Sequence, residues 1–131
     1  MPTPRQQPSD AEWKVLHALW RRGKATSREL LDDLSAEDWA YTTLKTMLTR
    51  MEEKGFVHSK PMGNAAQYEP LLARGEAQRS ALRTLIERVF EGASGPLLAH
   101  LAEEERLSEE DRAALEKRLR ASESKGKRRG R

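Results

Sequence analysis

Cysteine is absent from all 131 residues, which excludes disulfides, thiolate metal ligands and cysteine nucleophiles and fits a reducing cytoplasm. Long apolar runs are missing as well. No segment approaches the ~20 apolar residues of a membrane span, and the opening Met-Pro-Thr-Pro-Arg-Gln-Gln-Pro has no apolar h-region, so a cytoplasmic location is expected. Histidine is scarce: His17, His58 and His100 are scattered over three elements, with no paired nucleophile, Gly-rich phosphate loop or metal spacing around them. No catalysis, cofactor or metal is therefore expected. Glu103-Glu104-Glu105 and Glu109-Glu110-Asp111 lack converging histidines and read as solvated acids near helix starts. Aromatics make up only 5%, and Trp13, Trp20 and Phe56 are expected in the core.

What is abundant is charge, 34% against a hydrophobic fraction of 37%, the balance of helical surfaces laced with ions. The net +3 is unevenly spread. Residues 1–72 hold ten basic and ten acidic side chains, 73–124 nine and eleven, and Lys125, Lys127, Arg128, Arg129 and Arg131 supply the excess. Bulk charge thus says little about partners, and the placement of individual charges has to carry the argument.

Ser9-Asp-Ala-Glu12 is a capping box that opens a first helix of about Ser9 to Arg22, with Trp13, Leu16, Leu19 and Trp20 as its buried stripe and Gly23 as its stop. Thr26-Ser27-Arg28-Glu29 repeats the box before a short second helix ending near Ser35. A loop over 36–40 leads to a third helix, about Tyr41 to Lys54, ended by Gly55. Three short helices at this spacing form a helix-turn-helix unit. Phe56–Lys60 and Gln67–Leu71 read as strands joined through Gly63-Asn64, which makes a wing.

At ~100° per residue Leu44, Met47, Leu48 and Met51 fall in one arc of the third helix. Thr42, Thr46 and Thr49 point the opposite way, with Lys45, Thr43 and Arg50 alongside. Threonine hydroxyls donate or accept, and the methyl fits a thymine methyl, so this face suits base edges or phosphates in a duplex groove. A plain solvated helix face has the same pattern, and the spacing assigns a base to no single threonine. Tyr41 and Thr42 at the helix start, and Thr26, Ser27 and Arg28 at the second helix, are placed to hold phosphate. For Thr26 ordinary capping is an equal reading. Lys60 and Asn64 in the wing are candidates for phosphate or minor-groove contact.

Helical spacing returns from about Ala73 to Glu91, with Leu82, Leu85, Ile86, Val89 and Phe90 on one face. Gly92, Ser94, Gly95 and Pro96 break the chain before Leu97, Leu98 and Leu101, and Ser108 caps a last helix carrying Leu115 and Leu119. These helices are too few and too narrow for a core of their own, and pairing with a second copy resolves this. The basic tail from Ser122 reads as unstructured, adding non-specific DNA affinity or solubility.

The runs Asp10–Trp20 and Thr42–Gly55 and the hairpin Phe56–Leu71 resemble the penicillinase-repressor family, which includes methicillin-resistance and copper-response repressors. The likeness spans about Ser9 to Leu119. It implies dimeric winged-helix repressors whose C-terminal helices interlock. Without cysteine, the copper branch's metal motif has no counterpart. In the β-lactam branch a membrane sensor metallopeptidase triggers cleavage at an Asn-Phe bond, and the corresponding stretch here is His100-Leu101.

The expectation is a mainly α chain with a winged helix-turn-helix DNA-binding domain and a small helical dimerisation domain. Its parts are a disordered 1–8, the DNA-binding domain 9–72, the dimerisation domain 73–121 and a disordered 122–131. Its expected partners are a double-stranded, pseudo-palindromic operator and a second copy of itself. A winged-helix module for protein contacts, or a ligand-responsive activator, is the rival reading.

Overall fold

In the computed structural model residues 6–104 and 107–129 are described. Of the segments discussed above, Met1–Arg5, Glu105 and Gly130-Arg131 lie outside them. Helix α1 (Asp10–Arg22) starts at the expected capping box: Ser9 Oγ accepts from the Glu12 amide at 3.2 Å, and the Ser9 amide donates to Glu12 Oε1 at 2.9 Å. It stops at Gly23, whose φ of +86° is readily adopted without a Cβ. Strand β1 (Ala25–Thr26) follows, a two-residue element with no periodicity to announce it. Helix α2 (Ser27–Asp33) carries the second capping box, Thr26 to Glu29, and a 3₁₀ turn at Ser35–Glu37 leads toward helix α3 (Tyr41–Glu53).

Strands β2 (Val57–Met62) and β3 (Ala65–Pro70) form the wing. Met62 pairs with Ala65, so Gly63-Asn64 is a two-residue turn, and Gly63 has the positive φ, +61°, that such a turn needs. Both strands reach further toward the tip than the sequence suggests. Pro61 does not stop β2, because β2 is an edge strand of a sheet ordered β1-β3-β2, where a missing N–H need cost no ladder bond. β3 lies in the middle, pairing with β1 through Ala25–Tyr68 and Thr26–Gln67.

The core of this part is made by Val15, Leu16 and Leu19 of α1, Leu30 of α2, Leu44, Leu48 and Met51 of α3, and Phe56 and Val57, all without solvent exposure. Burial of each large apolar side chain is worth about 1.5–3 kcal/mol relative to exposure. Trp13, Trp20 and Trp39 pack on the margin of this core, and Trp20 Nε1 donates to the Leu72 carbonyl at 2.9 Å.

Helix α4 (Arg74–Val89) follows the expected domain boundary at residue 72. The chain divides into two compact units between Thr84 and Leu85, inside this helix. Ala77 and Ser80 are buried in the first unit, and Ser80 Oγ accepts from Gln7 Nε2 at 2.8 Å. Gln7 and the buried Pro8 are thereby part of the fold, contrary to the expectation of a disordered 1–8. The second unit contains the end of α4, helix α5 (Ser94–Glu104) and helix α6 (Glu109–Arg129). Ser108 Oγ accepts from the Asp111 amide at 3.0 Å, the expected cap of α6. Helix α6 runs on to Arg129, where the sequence suggested a disordered tail from 122. Lysine and arginine are good helix formers and suit the negative end of the helix dipole, so a basic run need not end a helix.

Candidate nucleic-acid interface

α3 buries Leu44, Leu48 and Met51 and half-buries Met47, while Thr42, Thr43, Thr46, Thr49 and Arg50 are exposed. The division follows from 3.6-residue periodicity alone: once the leucines enter the core, the threonines are left outside. At 1.5 Å per residue these 13 residues make a rod about 20 Å long, which a major groove about 12 Å wide admits. Arg50 has no carboxylate within ion-pair distance among the described residues. The Thr49 hydroxyl donates back to the Lys45 carbonyl at 3.0 Å, which leaves its lone pairs for a donor outside.

The two flanks of this face differ. On one, α3 and the N-terminal end of α1 enclose an open cleft of about 600 Å³ lined by Ser9, Glu12, Thr43, Met47, Arg50 and Lys54 among others. Lys54 Nζ donates to Glu12 Oε2 at 2.8 Å. Burial pushes the Glu12 carboxyl up, but Lys54 together with the Ser9 amide and hydroxyl outweighs it, so the group lies below the usual carboxylate range. Neither Glu12 nor Lys54 was marked by the sequence as more than a cap and a helix end.

On the other flank the wing is tied to α3. Glu52 accepts from the Ser59 amide at 3.2 Å and from its hydroxyl at 3.0 and 3.1 Å, and Lys45 Nζ donates to Tyr68 Oη at 3.2 Å. Tyr68 raises the Lys45 ammonium above the ordinary lysine value, chiefly through this hydrogen bond. Lys45 is accordingly half-buried rather than free. Near the start of α3, Tyr41 Oη shares a 3.1 Å hydrogen bond with Ser27 Oγ, and the Arg28 guanidinium lies 4.9 Å over the Tyr41 ring.

Two of the expected phosphate ligands also have partners within the fold. Ser27 is 5% exposed and engaged with Tyr41, so its hydroxyl supports the packing of α2 on α3 rather than an outside ligand. Thr26 Oγ1 accepts from the Glu29 amide at 3.2 Å, the capping role, and its backbone belongs to β1. Arg28, Tyr41 and Asn64 are exposed, and Lys60 is exposed with its ammonium 3.3 Å from Glu69. Glu52 and Tyr68 went unremarked because a Glu-Glu-Lys helix end and a strand tyrosine carry no local mark of a cross-element bond.

Of the proposed dimer residues, Leu82, Leu85, Val89, Leu98, Leu101 and Leu119 are exposed, Val89 by 63%, and Ile86, Phe90, Leu97 and Leu115 are half-buried. The Phe90 ring lies 5.9 Å from that of His100. Among the described residues no cluster of three or more His, Asp or Glu could hold a metal ion, and no helix is long and apolar enough to cross a membrane.

Residues 8–121 match the family model described as penicillinase repressor. The chain belongs to the penicillinase repressor family. Among similar members of this family, the methicillin resistance regulatory protein MecI of Mammaliicoccus sciuri is 27% identical over 104 residues, 79% of this chain and 85% of that protein. The penicillinase repressor of Bacillus licheniformis is 26% identical over 106 residues, 80% of this chain and 83% of that one. The solution structure of the DNA-binding domain of the repressor BlaI aligns with 57% of this chain and 90% of its own, at 28% identity and a TM-score of 0.49.

Proposed function

We propose that this member of the family is a DNA-binding transcriptional repressor, acting as a homodimer that places its two α3 helices in successive major grooves of a pseudo-palindromic operator about one turn apart. One observation carries the reading: Thr42, Thr43, Thr46, Thr49 and Arg50 are outside on the same helix whose Leu44, Leu48 and Met51 are inside. The relatives named as repressors support it. Arg28, Tyr41, Lys45, Lys60 and Asn64 would meet the backbone around the groove, and Arg50 would fork onto a base or a phosphate. The uncovered leucines of α4, α5 and α6 support the dimer, because apolar side chains at these positions gain from a second copy.

Release through a sensor metallopeptidase belongs to the same proposal. His100 and Leu101 are both exposed, but they lie inside α5, so a protease would need that helix to unwind locally before cutting there.

A mobility-shift titration tests the mechanism, using duplexes selected from genomic fragments. If the dimer neutralises roughly 6 to 10 phosphates, affinity falls about 10³- to 10⁵-fold between roughly 50 and 200 mM salt. A flat response would contradict the proposal and favour a protein-binding winged helix.

A further inference from the structure

Resting on that reading, we infer that Tyr68 is a positioning residue of the DNA interface, holding Lys45 at the junction of α3 and the wing so that this lysine meets phosphate rather than a base. Tyr68 is only 4% exposed and sits in the middle strand, fixed by pairing with Ala25 on one side and Ser59 on the other. Its phenol oxygen therefore occupies a rigid place. Lys45 Nζ donates to that oxygen at 3.2 Å, so the hydroxyl holds the ammonium at the edge of the ring. An ammonium has three donors, and the one given to Tyr68 leaves two for an outside oxygen.

The direction matters. Lys45 lies on the helix flank that faces the wing, the flank that Glu52 also ties to Ser59, whereas Thr42 and Thr46 project from the open face. A flexible lysine loses rotamer entropy when it contacts a phosphate, and an anchor that already restrains it lowers that cost. A point charge restrained at the helix–wing junction tracks the backbone; it does not present the paired donors that read a guanine edge.

The test compares salt dependence with sequence discrimination for wild type, Tyr68→Phe, Lys45→Met and the double variant, using the selected operator and a scrambled duplex. Lys45→Met should lower the slope of log affinity against log salt by about 0.9 per protomer, with the ratio of operator to scrambled binding unchanged. Tyr68→Phe keeps the ring in the core and removes one oxygen. It should weaken binding to both duplexes about three- to tenfold and lower the slope in the same sense. In the Lys45→Met background it should add nothing, because the lysine it positions is gone.

A wild-type slope in Tyr68→Phe, or losses that add in the double variant, would overturn the inference. Should Tyr68→Phe fail to fold, Lys45→Met decides alone: lost discrimination with a retained slope would make Lys45 a base reader and sink the idea. Failure of the DNA reading itself has another signature, a wild-type protein whose retention does not change with salt, and that result would overturn both.

Discussion

From Val15 to Ala77 the chain withdraws a continuous set of apolar side chains from water, whereas from Leu85 onward no described residue is buried. Both regions are helical and both are patterned with leucine. The difference lies in what closes over the pattern. In the first unit three helices, a three-stranded sheet and the start of α4 cover one another's apolar faces. In the second, Leu85, Val89, Leu98, Leu101 and Leu119 are left exposed. Such a unit is the natural place for an association surface, and the first unit is the natural place for a rigid recognition face.

A cavity in the first unit should have the largest effect. Leu16→Ala removes a fully buried side chain and is expected to cost about 2–5 kcal/mol, seen as a lower urea midpoint together with reduced operator retention. A loss under 1 kcal/mol would mean that the first unit is no better packed than the second.

Charging the second unit sharpens the contrast from the other side. Leu85→Glu combined with Val89→Glu, one turn apart and both exposed in the single chain, should leave the circular dichroism of the winged helix intact. Sedimentation is expected to show a monomer at micromolar concentration, with operator affinity down about 10²- to 10⁴-fold from lost bivalency. A variant that stays dimeric would place the association surface elsewhere.

Arg50→Ala should act on recognition without touching either core. Removing a fork onto a base is expected to cost about 1–3 kcal/mol of operator discrimination, read by competition with a scrambled duplex while the melting temperature stays within error. Unchanged discrimination would assign Arg50 to the backbone or to solvent.

The smallest expected effect is on acid stability. Because the Glu12 carboxyl is held below its ordinary value of 4.5, its contribution is present above that pH and is lost as pH falls through the lowered folded-state value. Glu12→Gln should therefore flatten the stability curve on its acid side, in urea titrations between about pH 3 and 6. Asp33, also lowered by its Arg22 partner, keeps the remaining slope above zero. An identical acid limb in the variant would remove the Glu12–Lys54 pair from the first unit's stability.

Much of the first unit was legible. Ser9 with Glu12, Thr26 with Glu29 and Gly63-Asn64 are local signals whose bonding partners lie within three residues, so the chain can be read without knowing what packs on it. The split of α3 into Leu44, Leu48, Met51 and the threonine face was equally plain, since a single helix period decides it. Strand β1 was not, because two residues have no period. The reach of the fold to Pro8 and Ser80 also escaped notice, since Gln7 finds its partner 73 positions away.

The sequence by itself determined where helices begin, which of their faces turn inward and that the α3 threonines are left outside, because those features depend on neighbours three or four residues apart. Only the tertiary structure decided that Ser27 is withdrawn from the surface, that Lys45 leans on Tyr68 and that Lys54 answers Glu12. Each of these depends on which distant elements the chain brings together, and a hydroxyl or an ammonium has the same local pattern whether its partner is water, a phosphate or a side chain from another strand.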